Sequence, residues 1–488
     1  MHIVFLHIDL GIGGAEQLIV NLALASISEQ KNDKRSQNPF LNASVSICTT
    51  HCDPTHCFAS VKPPDGILAT SVHVVGKFLP VQILGKYGTA FCSTLRLLYL
   101  AAYARYAFPK ADLYVVDILP TPIPFLIATG ASSVLYYCHF PDKLLKRDTI
   151  NGVVAPAAAV PNRSTNSFKR IKQSLQTIYR RVLSWAEEWS MLYSDSICVN
   201  SKFTQEEVLR VFPSIPRNLT ILYPAIDLDK FILPDMTTKE MKIHQSIAPI
   251  VSLNRFERKK NIQLLLESYA LLKQRWKHSD ASQDNSHSTT TKLLPPLVIA
   301  GGYDPRNNEN HEYLQELQSL CMELGIQDCT SFRPSISDAD RATLLQSALC
   351  LCYTPFREHF GIVPLEAMYA GSAVIALKSG GPMETVVDGE TGFLIPVHEK
   401  NIDETTKCFS DALWYFIENP KEALQMGKQG HEHVKKHFGF EKFRDEWKQT
   451  VIETIQRGRL RRKVWKSTFL IRFMLILLPL VYYIYKKI

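Results

Sequence analysis

Apolar residues along the chain gather into short runs, and each run is followed by a stretch of helical spacing. Residues 2–8 form the first run, bounded by Asp9 and Gly11, as a strand buried on both faces requires. Ala15, Leu18, Ile19, Leu22 and Ala23 then recur at the spacing of one helix face. The same alternation returns with strands expected at 45–48, 113–116, 134–137 and 196–199. A second series opens at Ile250, with strands expected at 250–253, 297–300, 330–332, 349–353 and 373–376. Alternation of this kind predicts parallel, doubly wound sheets. Two series in 488 residues predict two lobes, since so long a chain outgrows a single core.

The expected division is 1–230 for a first Rossmann-like lobe and 231–440 for a second, with a linker around Tyr223–Pro234. A crossing helix and basic stretch follow at 441–466, then a hydrophobic tail at 467–488. Residues 405–447 read as helical. Residues 151–167 and 278–291 are polar or Ala/Pro-rich and read as loop insertions. In the tail, residues 469–485 carry only Arg472 as a charge. A helix of that length reaches roughly 25 Å, short of a hydrocarbon core of roughly 30 Å. It is expected to associate with a membrane, by spanning a thinned bilayer or by lying in one leaflet. The aromatic stretch 78–108 is a second expected contact with lipid.

Charge sharpens this picture. The net charge is +8, from 55 basic and 47 acidic residues, and six of the cations fall between Arg457 and Lys466. That cluster favours an anionic membrane surface on the cytosolic side. The remainder is nearly balanced, which argues against a nucleic-acid binder. Eleven cysteines without repeated spacing suit a reduced compartment. The segment His51-Cys-Asp-Pro-Thr-His-Cys57 is too crowded for tetrahedral metal ligation and reads as a surface loop. The chain begins with a strand-like run and no basic start, so no secretory leader is expected. The sequons at Asn42, Asn162 and Asn218 are accordingly expected to be inert.

Three constellations carry candidate chemistry. Asp9-Leu-Gly-Ile-Gly13-Gly14-Ala-Glu16 lies between a strand and a helix, where glycines let backbone amides approach a phosphate. Glu16 holds the place of the third glycine of a dinucleotide fingerprint, which counts against a dehydrogenase. Asn254-Arg255-Phe-Glu-Arg-Lys259-Lys260-Asn261 sets four cations beside a strand end, suited to a diphosphate. Glu358-His-Phe360-Gly361-Ile362-Val-Pro-Leu-Glu366 places one glutamate before a helix and one within it. The amides of Phe360, Gly361 and Ile362 would be free to meet a ligand. Gly380-Gly381-Pro-Met-Glu384 adds another glycine turn. Asp227-Leu-Asp229 spells a metal-binding pattern, but it lies at the linker and is read as a decoy.

Taken together, the paired glutamates, the Arg/Lys cluster and the glycine turns resemble the retaining nucleotide-sugar glycosyltransferases of the α/β GT-B fold. The strings LGIGGAEQL, HCDPTHCF, YYCHFPDKLL, VNSKFT, LNRFERKKN, AGGYDPR and YTPFREHFGIVPLEAMYAGSAVIALKSGGPMETV are similar to those of eukaryotic mannosyltransferases. Those enzymes add the second and third mannoses to the dolichol-linked oligosaccharide. The resemblance covers about residues 1–450. It implies two Rossmann-like lobes with the donor site in the cleft between them, GDP-mannose as donor, and a dolichyl-diphosphate oligosaccharide as acceptor. It further implies the endoplasmic reticulum membrane as location, with both lobes cytosolic and other cytosolic-face mannosyltransferases as candidate partners. No cofactor and no essential metal are implied.

By the same resemblance, Gly13 and Gly14 give room near the diphosphate and acceptor, and His139 contacts the donor mannose. Arg255 and Lys260 neutralise the departing diphosphate. Glu358 binds the transferred mannose, Glu366 the ribose hydroxyls, and Gly380 and Gly381 line the crevice. Two other readings stay open: a sister enzyme with another donor, such as UDP-N-acetylglucosamine or UDP-glucose, and an inactive membrane-bound scaffold.

Overall fold

The computed structural model describes residues 1–27, 40–82, 88–141, 144, 179, 181–226, 248–283 and 293–485. Of these, the side chains of 279–283 and 465–485 fall outside the description. The 151–167 insertion, the Asp227–Asp229 pattern and most of the linker lie outside the described residues.

The first sheet holds strands β1 (His2–Leu6), β2 (Ser44–Thr49), β3 (Val72–Val74), β4 (Leu113–Asp117), β5 (Val134–Cys138), β6 (Ser196–Val199) and β7 (Thr220–Ile221). Their order is β3-β2-β1-β4-β5-β6-β7, and every pairing is parallel. Helices α1 (Gly14–Ser26), α2 (Thr89–Ala107), α3 (Ile123–Ala128) and α4 (Lys202–Val211) accompany it. The second sheet holds β8 (Ile250–Leu253), β9 (Leu297–Gly301), β10 (Thr330–Pro334), β11 (Cys350–Tyr353), β12 (Ala373–Leu377) and β13 (Gly392–Ile395). Its order is β10-β9-β8-β11-β12-β13, again all parallel. Its helices are α5 (Ile262–Gln283), α6 (Asn308–Glu323), α7 (Asp338–Ser347), α8 (Ile362–Tyr369), α9 (Pro382–Thr385), α10 (Ile402–Glu418) and α11 (Pro420–His437). Helix α12 (Phe440–Tyr485) ends the described chain.

Burial explains why these segments are strands. In β4 and β5 every residue is buried, and their branched and aromatic side chains face helices on both sides of the sheet. Order reverses between β1 and β4 in one sheet and between β8 and β11 in the other, the places where doubly wound folds bind ligands. The glycine segment follows β1 and the cationic segment follows β8.

All ten expected strands are present. β3, β7 and β13 are additional, and being only two to four residues long they leave a weak periodic signal. Two expectations need correction. The span read as a loop from residue 278 begins inside α5, which continues to Gln283. The single helical stretch 405–447 is three helices, broken near Asn419–Pro420 and at Phe438–Gly439. Pro420 suits the first turn of a helix and cannot continue the one before it.

Helix α12 packs onto the first sheet. Trp447 is fully buried, its ring 6.3 Å from Phe5, and its indole N–H donates to Ser26 Oγ at 2.8 Å. Farther along, Arg461 grips Asp195 with Nε at 2.8 Å and Nη2 at 3.1 Å, and Arg457 Nη1 donates to Ser196 Oγ at 3.3 Å. Two of the six clustered cations therefore serve the contact between helix and sheet. The reading that gave all six to a membrane surface is corrected accordingly. Among the described residues no helix is long and apolar enough to cross a membrane.

Candidate active site

The second lobe builds its part at the carboxyl ends of β8, β11 and β12. After β8 the chain turns through a short 3-10 helix at Arg258–Lys260. The Lys260 carbonyl accepts from Thr354 Oγ1 at 2.8 Å, which ties this turn to the end of β11. From there Lys260 Nζ reaches Glu358 Oε2 at 2.6 Å. Both side chains are largely covered, with 14% and 22% exposure. Burial pushes the Glu358 carboxyl up, and the Lys260 ammonium outweighs it, holding the carboxyl below the usual glutamate range.

The other cations separate. Arg255 is 59% exposed, and its nearest carboxylate is Glu257 at 3.8 Å. Lys259 lies 3.0 Å from Glu257. Arg258 turns away onto α6, 2.5 Å from Glu316 and 3.5 Å from Glu312. The four-cation cluster expected from sequence thus loses Arg258, because α6 offers it two carboxylates.

Helix α8 starts at Ile362 behind Gly361, whose positive φ of 79° turns the chain into the helix. Phe360 is buried, stacked 5.7 Å from Tyr223, so its ring is structural while its backbone borders the turn. Glu366, on the second turn, is ion-paired with Arg341 of α7, a partner the sequence did not disclose. Gly380 and Gly381 pack directly on the Glu358–Phe360 backbone. A Cβ on Gly380 would lie 2.3 Å from the Glu358 carbonyl oxygen, and one on Gly381 would lie 2.0 Å from that of Phe360. The Gly381 amide donates to the Glu358 carbonyl at 2.7 Å. No larger residue fits here, so the two glycines fix the loop that carries Glu358.

The first lobe contributes a buried charge relay. His7, just past β1, and Asp117, the last residue of β4, are both fully buried. Asp117 Oδ2 lies 2.7 Å from His7 Nδ1 and 3.2 Å from His139 Nε2. Burial pulls the His7 imidazole down, but Asp117 outweighs it and raises its pKa to about 10, so His7 is a cation at neutral pH. Burial pushes Asp117 and Glu16 up, and His7 outweighs this in both, so both carboxyls are lowered. Glu16 Oε1 stands 3.9 Å from His7 Nε2. Gly13 caps α1, and a Cβ there would lie 2.3 Å from Glu16 Oε2. Around Gly14, in contrast, the space is open. His139 and Glu16 are the partly exposed members of the group, each at 24%.

A seam joins the two halves. The His359 ring stacks on Phe140 with centroids 3.6 Å apart, and the His359 carbonyl accepts from Ser201 Oγ at 2.6 Å. Burial drops the His359 pKa to about 4, so the ring is neutral. Arg357 Nη2 meets Glu207 of α4 at 2.6 Å. The Glu384 carboxylate accepts from the Lys202 and Phe203 amides at 2.8 Å each, at the N-terminus of α4, and from Tyr223 Oη at 2.9 Å. The Gly380–Gly381 turn, Lys260 and Glu358 are therefore brought together, and Glu366 follows on α8. His7, Asp117, His359 and Arg341 are the members that motif reading missed. Asp117 carried one faint signal, an acidic residue closing an otherwise apolar strand.

Two facing Rossmann-like sheets, with a cationic turn, a glutamate loop and a glycine helix start at their switch points, define a glycosyltransferase of the GT-B kind. Residues 242–433 match the family described as "Glycosyl transferases group 1". Solved structures of similar fold include sucrose-phosphate synthase from Thermosynechococcus elongatus (TM-score 0.59, 18% identity, 96% of this chain and 99% of that one covered). Anabaena HepE in complex with UDP and glucose is another (TM-score 0.58, 16% identity, 92% and 99% covered).

Sequence relatives narrow the class. The chain is 35% identical to human "Alpha-1,3/1,6-mannosyltransferase ALG2" over 458 residues, covering 91% of this chain and 94% of that protein. Identity is 35% to the Rhizomucor pusillus protein of the same name, with 93% and 92% covered. For the Schizosaccharomyces pombe protein it is 34%, with 95% and 83% covered. The chain belongs to this family of alpha-1,3/1,6-mannosyltransferases.

Proposed function

We propose that the protein transfers mannose from GDP-mannose to a dolichyl-diphosphate-linked oligosaccharide, making an α-1,3 and then an α-1,6 linkage. The observation that carries this reading is the Lys260–Glu358 pair. It sets a cation and a carboxylate 2.6 Å apart at the switch point of the second sheet, with family membership supplying the sugar. In this reading Arg255 and Lys260 take up charge as the diphosphate departs. Glu358 holds the transferred mannose, Glu366 the ribose, and His139 meets the sugar from the first lobe. The amides of Phe360, Gly361 and Ile362 and the Gly380–Gly381 turn face the same donor, with Gly13 and Gly14 on the acceptor side.

The bond from mannose C1 to the phosphate oxygen breaks while C1 bonds to the acceptor hydroxyl on the same face. The hydroxyl proton passes to the leaving phosphate oxygen, so the α configuration is retained. The cations in this scheme are the chain's own, and no essential metal is part of it. The first lobe receives the acceptor and the second the nucleotide sugar. Helix α12 leads to the tail, which with the outer face of α2 holds the enzyme on the endoplasmic reticulum membrane, both lobes in the cytosol. Phe91, Leu95, Tyr99 and Tyr106 are exposed along that face of α2.

The test is incubation of the purified protein with radiolabelled GDP-mannose, UDP-glucose or UDP-N-acetylglucosamine and a singly mannosylated lipid-linked acceptor. Transfer from GDP-mannose alone, giving both linkages, is expected. Transfer from a UDP-sugar, or from none, would overturn the reading.

A further inference from the structure

A cavity of about 540 Å³ opens at the carboxyl ends of β1, β2 and β3, beside the glycine segment. Its lining includes Arg96, Lys77, Thr50, Asp9, Leu79 and Val81. Arg96 lies on the inner side of α2 and is only 6% exposed. Its Nη2 donates to Thr50 Oγ1 and, at 3.5 Å, to the Ile8 carbonyl. Its Nε is buried with no partner. Among the described residues no carboxylate lies within ion-pair distance of it. A buried guanidinium held by two neutral acceptors is a costly arrangement for a protein to keep, because the charge has lost its water and the exposed Asp9 carboxylate offsets that loss only in part. Lys77 supplies a second cation at the exposed mouth. Of the carboxylates at the cavity, Asp53 is already taken by the Thr55 amide and hydroxyl at 2.8 and 2.7 Å. Asp9 is exposed and favours the Arg96 cation, but by less than burial disfavours it.

Apolar surface borders the same opening. Leu79 and Val81 line it, Phe78 is 75% exposed, and its ring meets Tyr99 of α2 edge-on at 5.4 Å. The outer face of α2 continues this surface through Leu95 and Phe91. A planar fork and a point charge suit a phosphate, and the flanking wall suits a hydrocarbon chain.

We propose that this cavity is a subsite for the diphosphate head of a prenyl-type lipid, the anchor of the acceptor, with Arg96 and Lys77 as its ligands. The inference rests on the reading of the acceptor as lipid-linked. It adds where the diphosphate sits, on the first lobe and apart from the donor's own diphosphate at Arg255 and Lys260.

Calorimetry with geranylgeranyl diphosphate, in saturating GDP so that the donor site is filled, tests it without relying on turnover. The full-length protein should bind this probe more tightly than either geranylgeraniol or inorganic diphosphate. Lys77→Ala and Arg96→Gln should each weaken binding about tenfold, the scale of one lost charge-assisted hydrogen bond. Lys77 is exposed, so its variant folds even if loss of Arg96 perturbs α2. Unchanged affinity in Lys77→Ala would overturn the proposal. So would equal binding of inorganic diphosphate, which marks a free-phosphate site, or of geranylgeraniol, which marks an apolar groove. A kinetic arm compares a lipid-diphosphate acceptor with the same glycan on a neutral alkyl linker. The Lys77 variant should raise KM about tenfold for the first only, and an equal rise for both acceptors would also overturn it. Loss of all mannosyl transfer in the wild type with the binding pattern intact would count against the mannosyltransferase reading alone.

Discussion

The imidazole of His7 lies with Nδ1 2.7 Å from the Asp117 carboxylate, and neither side chain has any contact with solvent. Asp117 raises His7 to a pKa of about 10. A histidine raised on folding contributes stability that is complete below its unfolded value of about 6.5 and is lost as pH rises through about 10. Wild-type stability should therefore decline between those limits. Asp117→Asn should lower stability at neutral pH and flatten that decline. Urea unfolding across the range reads it out; an unchanged alkaline slope would show that the pair does not govern it.

Asp117 also fixes His139, whose Nε2 faces it at 3.2 Å while its side chain stays 24% exposed. Asp117→Asn should cut kcat about 100-fold, the scale of a misplaced substrate-positioning group, and alter the pH profile. Stability-matched core variants should leave that profile unmoved.

On the acid side the seam residue His359 is the sensitive one. Burial lowers it to about 4, so between pH 6.5 and 4 the unfolded chain takes a proton that the folded chain refuses. Stability should fall as pH drops through that window. His359→Phe keeps an aromatic ring against Phe140 and should lessen the fall, measured as melting temperature against pH. An equally steep fall in the variant would assign it elsewhere.

Lys260→Ala removes a cation proposed for the leaving group and strands a mostly buried carboxylate. A loss of about 100- to 1000-fold in kcat is expected, with the Glu358 carboxyl moving up. Glu358→Ala should impair the α-1,3 and α-1,6 products alike, because no internal repeat offers a second donor site. Glu366→Ala should chiefly weaken GDP binding and free Arg341. Linkage analysis and calorimetry separate these outcomes; loss of one linkage with the other untouched would refute a shared donor site.

Glu384→Gln tests the seam itself. It weakens three hydrogen bonds to one carboxylate, each on the order of 1.5–3 kcal/mol when charge-assisted. The donor KM should rise, with a smaller change in kcat. Solution scattering should show a more open average shape, and an unaltered shape would remove Glu384 from that role.

Much of this architecture was legible in the chain. Runs such as residues 113–116 were readable as strands because they are continuously apolar, and the glycine turns announced close backbone approach. What stayed hidden was pairing across long separations. Nothing near Glu366 in sequence points to Arg341, and nothing near His139 points to Asp117, 22 residues away. The cationic segment misled for the same reason, since Arg258 answers to carboxylates on a helix some fifty residues later. Periodicity reports which face is buried, not which partner waits there.

The loop from Arg357 to Gly361 has a double occupation. It carries the carboxylate proposed for the sugar, and on either side of it the grips on the opposite half: Arg357 to Glu207, and His359 to Ser201 and Phe140. A donor that settled against Glu358, as proposed, would press on the joint between the two halves. That wiring predicts dependence between the two substrates, nucleotide sugar first and acceptor second, which product-inhibition patterns would read out. On the same terms a second mannose transfer would wait on a fresh donor settling at that joint.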